Sequence, residues 1–282
     1  MIELINVSKN YGKIKALQDF SIKIKDYGIY CLLGRNGAGK TTLLKTLSGH
    51  IVASSGTITV NGKNVDSIAM PQEVHYVESD AVHFNMKLDE LFESASKLNH
   101  LFDLPYALEV ADRFQLDRNK RYKQLSFGMK AMVNTLLALS SGKEILLLDE
   151  PVLGFDPVMR KNFYEMLQEH NEKHPKIIII STHIIDEIAK VAEQLMIIDK
   201  GRLIQFSDMS EIDEKAYCVT GLAENVIAAT KGLRILSEIK AGGFLSQYIY
   251  DRRMPESDKY SIASLSLQDF FIGLVGDEKE VK

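Results

Sequence analysis

Apolar and polar residues alternate in short runs over the first thirty positions, Ile2 to Gly12 and Ala16 to Gly28, each closed by a glycine-bearing turn. That period of two predicts a small antiparallel sheet. The next stretch, through Leu33, is apolar throughout, and after a glycine-rich turn the spacing becomes helical from about Lys40 to Leu47. A hairpin is expected around Asn61-Gly62 and a short strand over Glu73 to Asp80. From about Met86 to Leu139 the period is helical again, with Leu88, Leu91 and Phe92 on one stripe and Ala107, Val110, Ala111 and Phe114 on another. Strands return at Glu144–Pro151 and Lys176–Thr182, on either side of an amphipathic helix from about Pro157 to Glu172, and then at Glu193–Ile204. Continuous apolar strands separated by helices predict an α/β fold: a mostly parallel sheet covered on both faces, with an antiparallel amino-terminal part and a helical insertion. After about Phe206 three strand candidates (Lys215–Gly221, Ser246–Arg252, Tyr260–Ser264) and two helical ones predict a small α+β extension, ending in a polar tail.

Composition narrows the class. The chain has 282 residues, 45% apolar and 26% charged, with a net charge of −4. This is a soluble globular profile with a core that needs neither disulfides nor metal. The net charge offers nucleic acid no attraction, and the basic cluster Lys120 to Lys123 is too short to change that. Two cysteines, Cys31 and Cys218, without a CxxC pair or a signal peptide, point to a reducing, cytosolic compartment. Apolar runs such as Ile145–Leu148 and Ile177–Ile180 fall far short of the ~20 residues of a spanning helix, so any work at a membrane requires another chain to cross it.

Candidate chemistry sits at two strand ends. Gly34-Arg35-Asn36-Gly37-Ala38-Gly39-Lys40-Thr41, followed by Thr42, satisfies G-x-x-x-x-G-K-[ST] between a strand and a helix. Its glycines let successive N–H groups converge on a phosphate at a helix amino end, Lys40 reaches the β- and γ-phosphates, and the Thr41 hydroxyl binds Mg²⁺. The strand Ile145–Asp149 places Asp149 where it can complete the Mg²⁺ shell, and Glu150 can orient or deprotonate a water.

With Leu125–Met129 (LSFGM), Gly154–Pro157 (GFDP) and Ser181–His183 (STH) in the same order, the chain resembles the nucleotide-binding subunits of ABC (ATP-binding cassette) transporters over residues 1 to about 206. Residues 207–282, with Ser264–Leu274, more loosely resemble the extension of drug- and bacteriocin-type export ATPases. The resemblance implies a P-loop ATPase cassette with a helical subdomain over about 86–139, using ATP and Mg²⁺. It implies Tyr11 as an adenine platform, Ser126 and Gly128 as contacts to the γ-phosphate held by an opposite subunit, Asp156 as a link across the dimer, and His183 as the γ-phosphate sensor. Ser126 is also a natural cap for the helix that follows. Two positions depart from the pattern: Phe127 replaces the first signature glycine, and Glu78 takes the place of the Q-loop glutamine, with Gln72 as the lesser candidate. Glu78 keeps an oxygen for Mg²⁺ but adds negative charge beside a triphosphate.

The implied partners are a separate transmembrane permease and a second cassette, self or paralogue. The implied location is the inner face of the membrane, and the implied role is export of a peptide, antibiotic or other amphiphile. Import, or a soluble or regulatory role, is the alternative. Phe84, Met86 and Phe92 are candidates either for docking the permease or for core packing. His75, His83 and His100 lack ligand-like spacing for zinc, and Cys31 reads as a buried apolar residue.

Overall fold

In a computed structural model, which describes residues 1–65, 70–78 and 84–276, β1 (Ile2–Tyr11) and β2 (Ile14–Ile24) pair antiparallel. Next, β3 (Gly28–Leu33) runs through a tight loop into α1 (Lys40–Leu47). β4 (Ser55–Val60) joins the other side of β1, and β5 (Lys63–Asn64) turns back from it. Asn61 and Gly62 between them both have positive φ (49° and 78°), as an Asn-Gly hairpin turn demands. β6 (Val74–Glu78) precedes the helical insertion, made of α2 (Leu88–Leu98), α3 (Leu104–Arg113) and α4 (Phe127–Leu139). β7 (Ile145–Asp149), α5 (Pro157–Lys173), β8 (Ile177–Ser181), the single turn α6 (Ile185–Ile188), β9 (Gln194–Asp199) and β10 (Arg202–Asp208) follow.

Strands order as β10-β9-β3-β8-β7-β6 in a six-stranded sheet that is parallel except for the edge strand β10. The central strands β3, β7 and β8 are buried at every residue, which is why their sequences run apolar without alternation. Pleating still sorts their side chains. Tyr30 and Leu32 of β3 pack with Leu43, Leu44 and Leu47 of α1 and with the β1–β2–β4 sheet, whereas Ile29, Cys31 and Leu33 pack on the other face with α4, α5 and the insertion. Burial pushes the Cys31 thiol well above its ordinary range, leaving it an inert apolar filler. Phe92 is fully buried in the insertion's core, while Phe84 and Met86 are only half-buried.

The rest of the described chain is α7 (Met209–Lys215), β11 (Ala216–Leu222), α8 (Ala223–Ala229), β12 (Ile235–Ala241), β13 (Phe244–Tyr250), β14 (Tyr260–Ser264) and α9 (Leu267–Val275). Its antiparallel sheet, ordered β12-β13-β11-β14, carries a small core of Tyr217, Val219, Val226, Leu245 and Ile249. The sequence pattern misses β12 because this edge strand buries none of its residues fully and so shows no alternation. It also misses a third helix. Met209, Ile212, Ala216, Tyr250, Leu267 and Phe270 join the same buried cluster as β9 and α6, so the extension is packed onto the sheet.

Two histidines are held neutral. Burial, with Lys143 nearby, pushes His75 down to about 4; burial, with Lys176 and His174, pushes His170 down to about 4 as well, and neither ring nitrogen of His170 has a hydrogen-bond partner. Since the unfolded chain binds these protons near pH 6.5, it holds more protons than the folded chain between there and pH 4. Stability is therefore lost as pH falls through that window. Urea unfolding of His170→Leu is expected to show a smaller loss of midpoint between about pH 7.5 and about pH 5 than the parent protein shows. An equal loss in both would contradict the assignment.

Candidate nucleotide site

Parallel register brings the carboxyl ends of four strands to one edge. Leu32 of β3 pairs with Ser181 of β8, Ser181 with Asp149 of β7, and Asp149 with Glu78 of β6. At that edge the chain leaves β3 through Gly34–Gly39, and Ala38 N–H closes a turn on Arg35 O at 3.0 Å. Gly39 sits at φ +112°, and a Cβ there would lie 2.5 Å from Ala16 O, so no other residue fits. It is also the cap of α1 and offers no side chain, nor does the first turn contain an acid. The orphan N–H groups of that turn are thus open to an anion. Lys40, only 8% exposed, arches back over the loop, its Nζ donating to Gly34 O at 2.8 Å and reaching Arg35 O at 3.5 Å. Thr41 is exposed beside it and Thr42 half-buried.

Asp149 is buried and tightly held. Its Oδ1 accepts from Ser181 Oγ and its Oδ2 from Tyr76 OH at 3.3 Å. Burial and the negative charges of Asp149 and Glu78 push the Tyr76 hydroxyl far up, which keeps it a donor. Glu150 follows at φ 51°, a left-handed conformation rare for glutamate, with its N–H donating to Ser181 O at 3.1 Å. This turn takes its side chain off the strand line to His183, whose Nδ1–H donates to Oε2 at 2.8 Å. The histidine's side chain is 54% exposed. Hard oxygens from Thr41 and Asp149 beside an open helix terminus fit Mg²⁺ with a polyphosphate: the cradle is closed to any side chain at Gly39, and the lysine that overhangs it rests on backbone carbonyls. The sequence gives no warning of Tyr76 as an Asp149 partner. The signal for Ser181 is its place one residue beyond the apolar strand.

Glu78 reaches the same edge and is not an unpaired charge. Lys45, in the last turn of α1, meets its Oε1 at 2.6 Å. Gln72 is exposed ahead of β6. A groove of about 1000 Å³ opens beside β6, between the sheet edge and the insertion, and is lined by Gln72, His75, Tyr76, Glu78, Phe84, Met86 and His100, with Leu98 and Leu101 strongly exposed at its side. His83 lies outside the described residues.

The remaining candidates gather elsewhere. Ser126 caps α4, accepting from Met129 N–H at 3.2 Å, and Asp156 caps α5, accepting from Met159 N–H at 2.9 Å. Gly128 closes on Gly154, where a Cβ would come 3.0 Å from the Gly154 carbonyl, and the Phe127 ring lies over Gly154, itself at φ +82°. The bulky signature residue therefore packs against the following loop. The cleft beside the phosphate loop, about 430 Å³, is lined by Leu33 to Asn36, Thr182, His183, Ile185 and Phe271, with nothing from Ser126 or Gly128. Tyr11 is 47% exposed, with Lys9 Nζ 5.2 Å from its ring centroid.

The family model described as "ABC transporter" matches residues 17–153. The chain is 30% identical over 215 residues to the high-affinity branched-chain amino acid transport ATP-binding protein BraG of Pseudomonas aeruginosa, covering 72% of this chain and 91% of that one. This chain belongs to the ABC-transporter ATP-binding proteins. It is an ATPase cassette, the ATP-binding and ATP-hydrolysing component that partners a membrane permease. The fold agrees with a solved ATP-binding subunit of an ABC transporter, at TM-score 0.67 and 24% identity over 75% of this chain and 91% of that one. Other relatives are named for import or for resistance. The methionine import ATP-binding protein MetN of Clostridioides difficile is 29% identical over 228 residues (75% of this chain, 70% of it), and the linearmycin resistance ATP-binding protein LnrL of Bacillus subtilis 28% over 257 residues (85% and 81%). Relatedness therefore reaches the family and does not single out drug or bacteriocin export.

Lys45 is the counter-ion of Glu78, and a partly exposed pair of this kind contributes about 0.2–1 kcal/mol; if Glu78 stands beside a bound triphosphate, Lys45 shields it. Lys45→Met is expected to weaken ATP binding by about two- to fivefold, and adding Glu78→Gln on that background to restore it. Fluorescent-nucleotide titration checks this; no recovery in the double variant would contradict the shielding role.

Proposed function

We propose that this cassette is the engine of a multi-chain transporter, working as one half of a head-to-tail pair whose closure on ATP moves a separate membrane-spanning permease. The reading is supported by where Ser126 and Gly128 sit: Ser126 caps α4, Gly128 packs on Gly154, and neither lines the cleft beside the phosphate loop. In this reading a nucleotide held by Gly34–Thr42 meets the signature segment of a second cassette. Bound ATP is then part of the interface, and its differential affinity for the closed pair shifts the population toward closure.

In this mechanism Tyr11 stacks on the adenine. The open N–H groups of α1 and the Lys40 ammonium, turned from the Gly34 carbonyl, hold the β- and γ-phosphates. Mg²⁺ between Thr41 and Asp149 would neutralise charge on those phosphates when bound. Ser181 and Tyr76 orient the Asp149 carboxylate. Glu150 accepts a proton from water as the water oxygen attacks the γ-phosphorus and the bond to the β–γ bridging oxygen breaks, releasing ADP and phosphate. His183, oriented through Nδ1 by Glu150, bonds the γ-phosphate by donating from Nε2–H, which requires the ring to carry a proton on each nitrogen. Loss of phosphate removes the contacts that closed the pair. Asp156 links the two sites across the interface, and Glu78 takes the glutamine's place with Lys45 as its counter-ion.

Among the described residues no helix is long and apolar enough to cross a membrane. The groove lined by Phe84 and Met86 is where we dock the permease, at the inner face of the membrane. Residues 1–206 form the cassette in this reading and 207–282 the accessory extension. Export of a peptide, antibiotic or other amphiphile is supported by the LnrL alignment, whose 85% coverage is more than residues 1–206 can supply and so reaches into the extension. Import is the reading with the wider support among the relatives, through MetN, a methionine import protein.

Glu150→Gln removes the base and keeps the fold, so it is expected to be monomeric alone and dimeric with ATP and Mg²⁺, as measured by size-exclusion chromatography with light scattering. Adding Lys40→Ala should abolish the dimer. A monomer in all conditions would overturn self-pairing. Transport by the permease reconstituted in vesicles with this cassette separates export from import.

A further inference from the structure

The cleft beside the phosphate loop has one wall that comes from outside the cassette. Phe271 of α9 lines it opposite Gly34 to Asn36, together with His183 and Ile185. Its neighbour Phe270 is fully buried, 5.0 Å from the Tyr250 ring, and Leu267 is buried one turn earlier. Together they anchor α9 in the core that holds Ile188 and Leu195. On its other side α9 rests on β12, where Gly273 approaches Leu236 so closely that a Cβ would lie 3.0 Å from the Leu236 Cβ. The extension's own core of Tyr217, Val219, Val226, Leu245 and Ile249 does not include α9. The helix is thus a strut between two sheets, and Phe271 is the residue it presents to the cleft beside the phosphate loop.

What Phe271 meets there is the least self-sufficient segment of the site. α6 is a single turn of four residues that begins two positions after His183 and has no side-chain cap. Such a turn lacks the length to be stable by itself and takes its position from its packing. On one side Arg160 holds it, donating to Glu187 at 2.6 Å and to the Phe155 carbonyl at 3.0 Å, which ties α6 to the loop preceding Asp156. On the other side the packing partner is α9.

We propose that Phe271 is a positioning residue for His183: the extension, through α9, fixes the segment Thr182–Ile188 and thereby sets how well the histidine is placed for hydrolysis. The inference rests on the ATPase reading given above and assigns a role to the extension within it. Lys40 and the α1 terminus, which hold the phosphates in that reading, are positioned by β3 and by backbone bonds of their own, and Lys40 does not line the cleft that Phe271 lines, so ATP affinity is expected to survive loss of this contact.

Misplacing a catalytic group by a fraction of an ångström to one ångström lowers turnover steeply, so Phe271→Ala is expected to reduce kcat by about tenfold. Its affinity for a fluorescent ATP analogue should remain within about twofold of the parent. Hydrogen–deuterium exchange of the nucleotide-free protein should rise over residues 182–188 and stay unchanged over 34–44. Phe271→Leu, which keeps an apolar wall, should recover most of the turnover, and Phe244→Ala, exposed on the extension's sheet, should behave as the parent. Unchanged kcat in Phe271→Ala, or unchanged exchange over 182–188, would overturn the proposal. So would a loss carried equally by ATP affinity, or one that Phe271→Leu does not relieve, since either marks a merely structural residue. A parent protein without Mg²⁺-dependent turnover would instead overturn the ATPase reading itself.

Discussion

The site depends on the parallel register of four strands. Glu78, Asp149, Ser181 and Leu32 form one row of partners across the sheet, and the phosphate loop, Glu150 and His183 all follow that row within a few residues. Because side chains alternate between faces, a slip of one residue would turn Asp149 into the α4 side of the core and replace it with an aliphatic side chain. The six wholly buried positions of β3 and the five each of β8 and β7 secure that register. Apolar packing on both faces of the sheet is therefore what places two carboxylates, a serine and a lysine-bearing loop together.

Holding an uncompensated phosphate site open has local costs, and they fall on few residues. Gly39 takes a conformation and a closeness to Ala16 that only glycine tolerates. Glu150 takes a left-handed conformation that costs about 1–3 kcal/mol for an ordinary residue and is secured by its amide bond to Ser181. Asp149 gives up solvent and keeps two hydroxyl donors in exchange. Lys40 is parked on carbonyl oxygens.

The second level of organisation is pairing between loops. Phe127 over Gly154 joins the signature segment to the loop before Asp156, Arg160 joins that loop to α6, and α9 joins α6 to the extension. The proposed trans contacts, the proposed sensor histidine and the extension are thus mechanically continuous.

Much of this is legible in the sequence. The strand, loop and helix around Gly34–Thr41, the apolar strands, the Asn61-Gly62 turn and the capping role of Ser126 follow from local rules, because periodicity, glycine and caps act over a few residues. The family follows from motif order along the chain. What the sequence does not reveal involves residues brought together from far apart: Lys45 neutralising Glu78, Tyr76 and Ser181 gripping Asp149, Phe127 lying on Gly154, and Phe92 buried where Phe84 and Met86 are not. The edge strand β12 is invisible there because it buries too little to show a period. The extension, an appendage when read along the chain, supplies a wall of the nucleotide cleft only in three dimensions, since Phe271 and His183 are far apart in sequence and meet through the packing of α9 on α6. Local chemistry wrote the elements and their motifs; the closing of the sheet and the burial of apolar faces decided which of those motifs share a site.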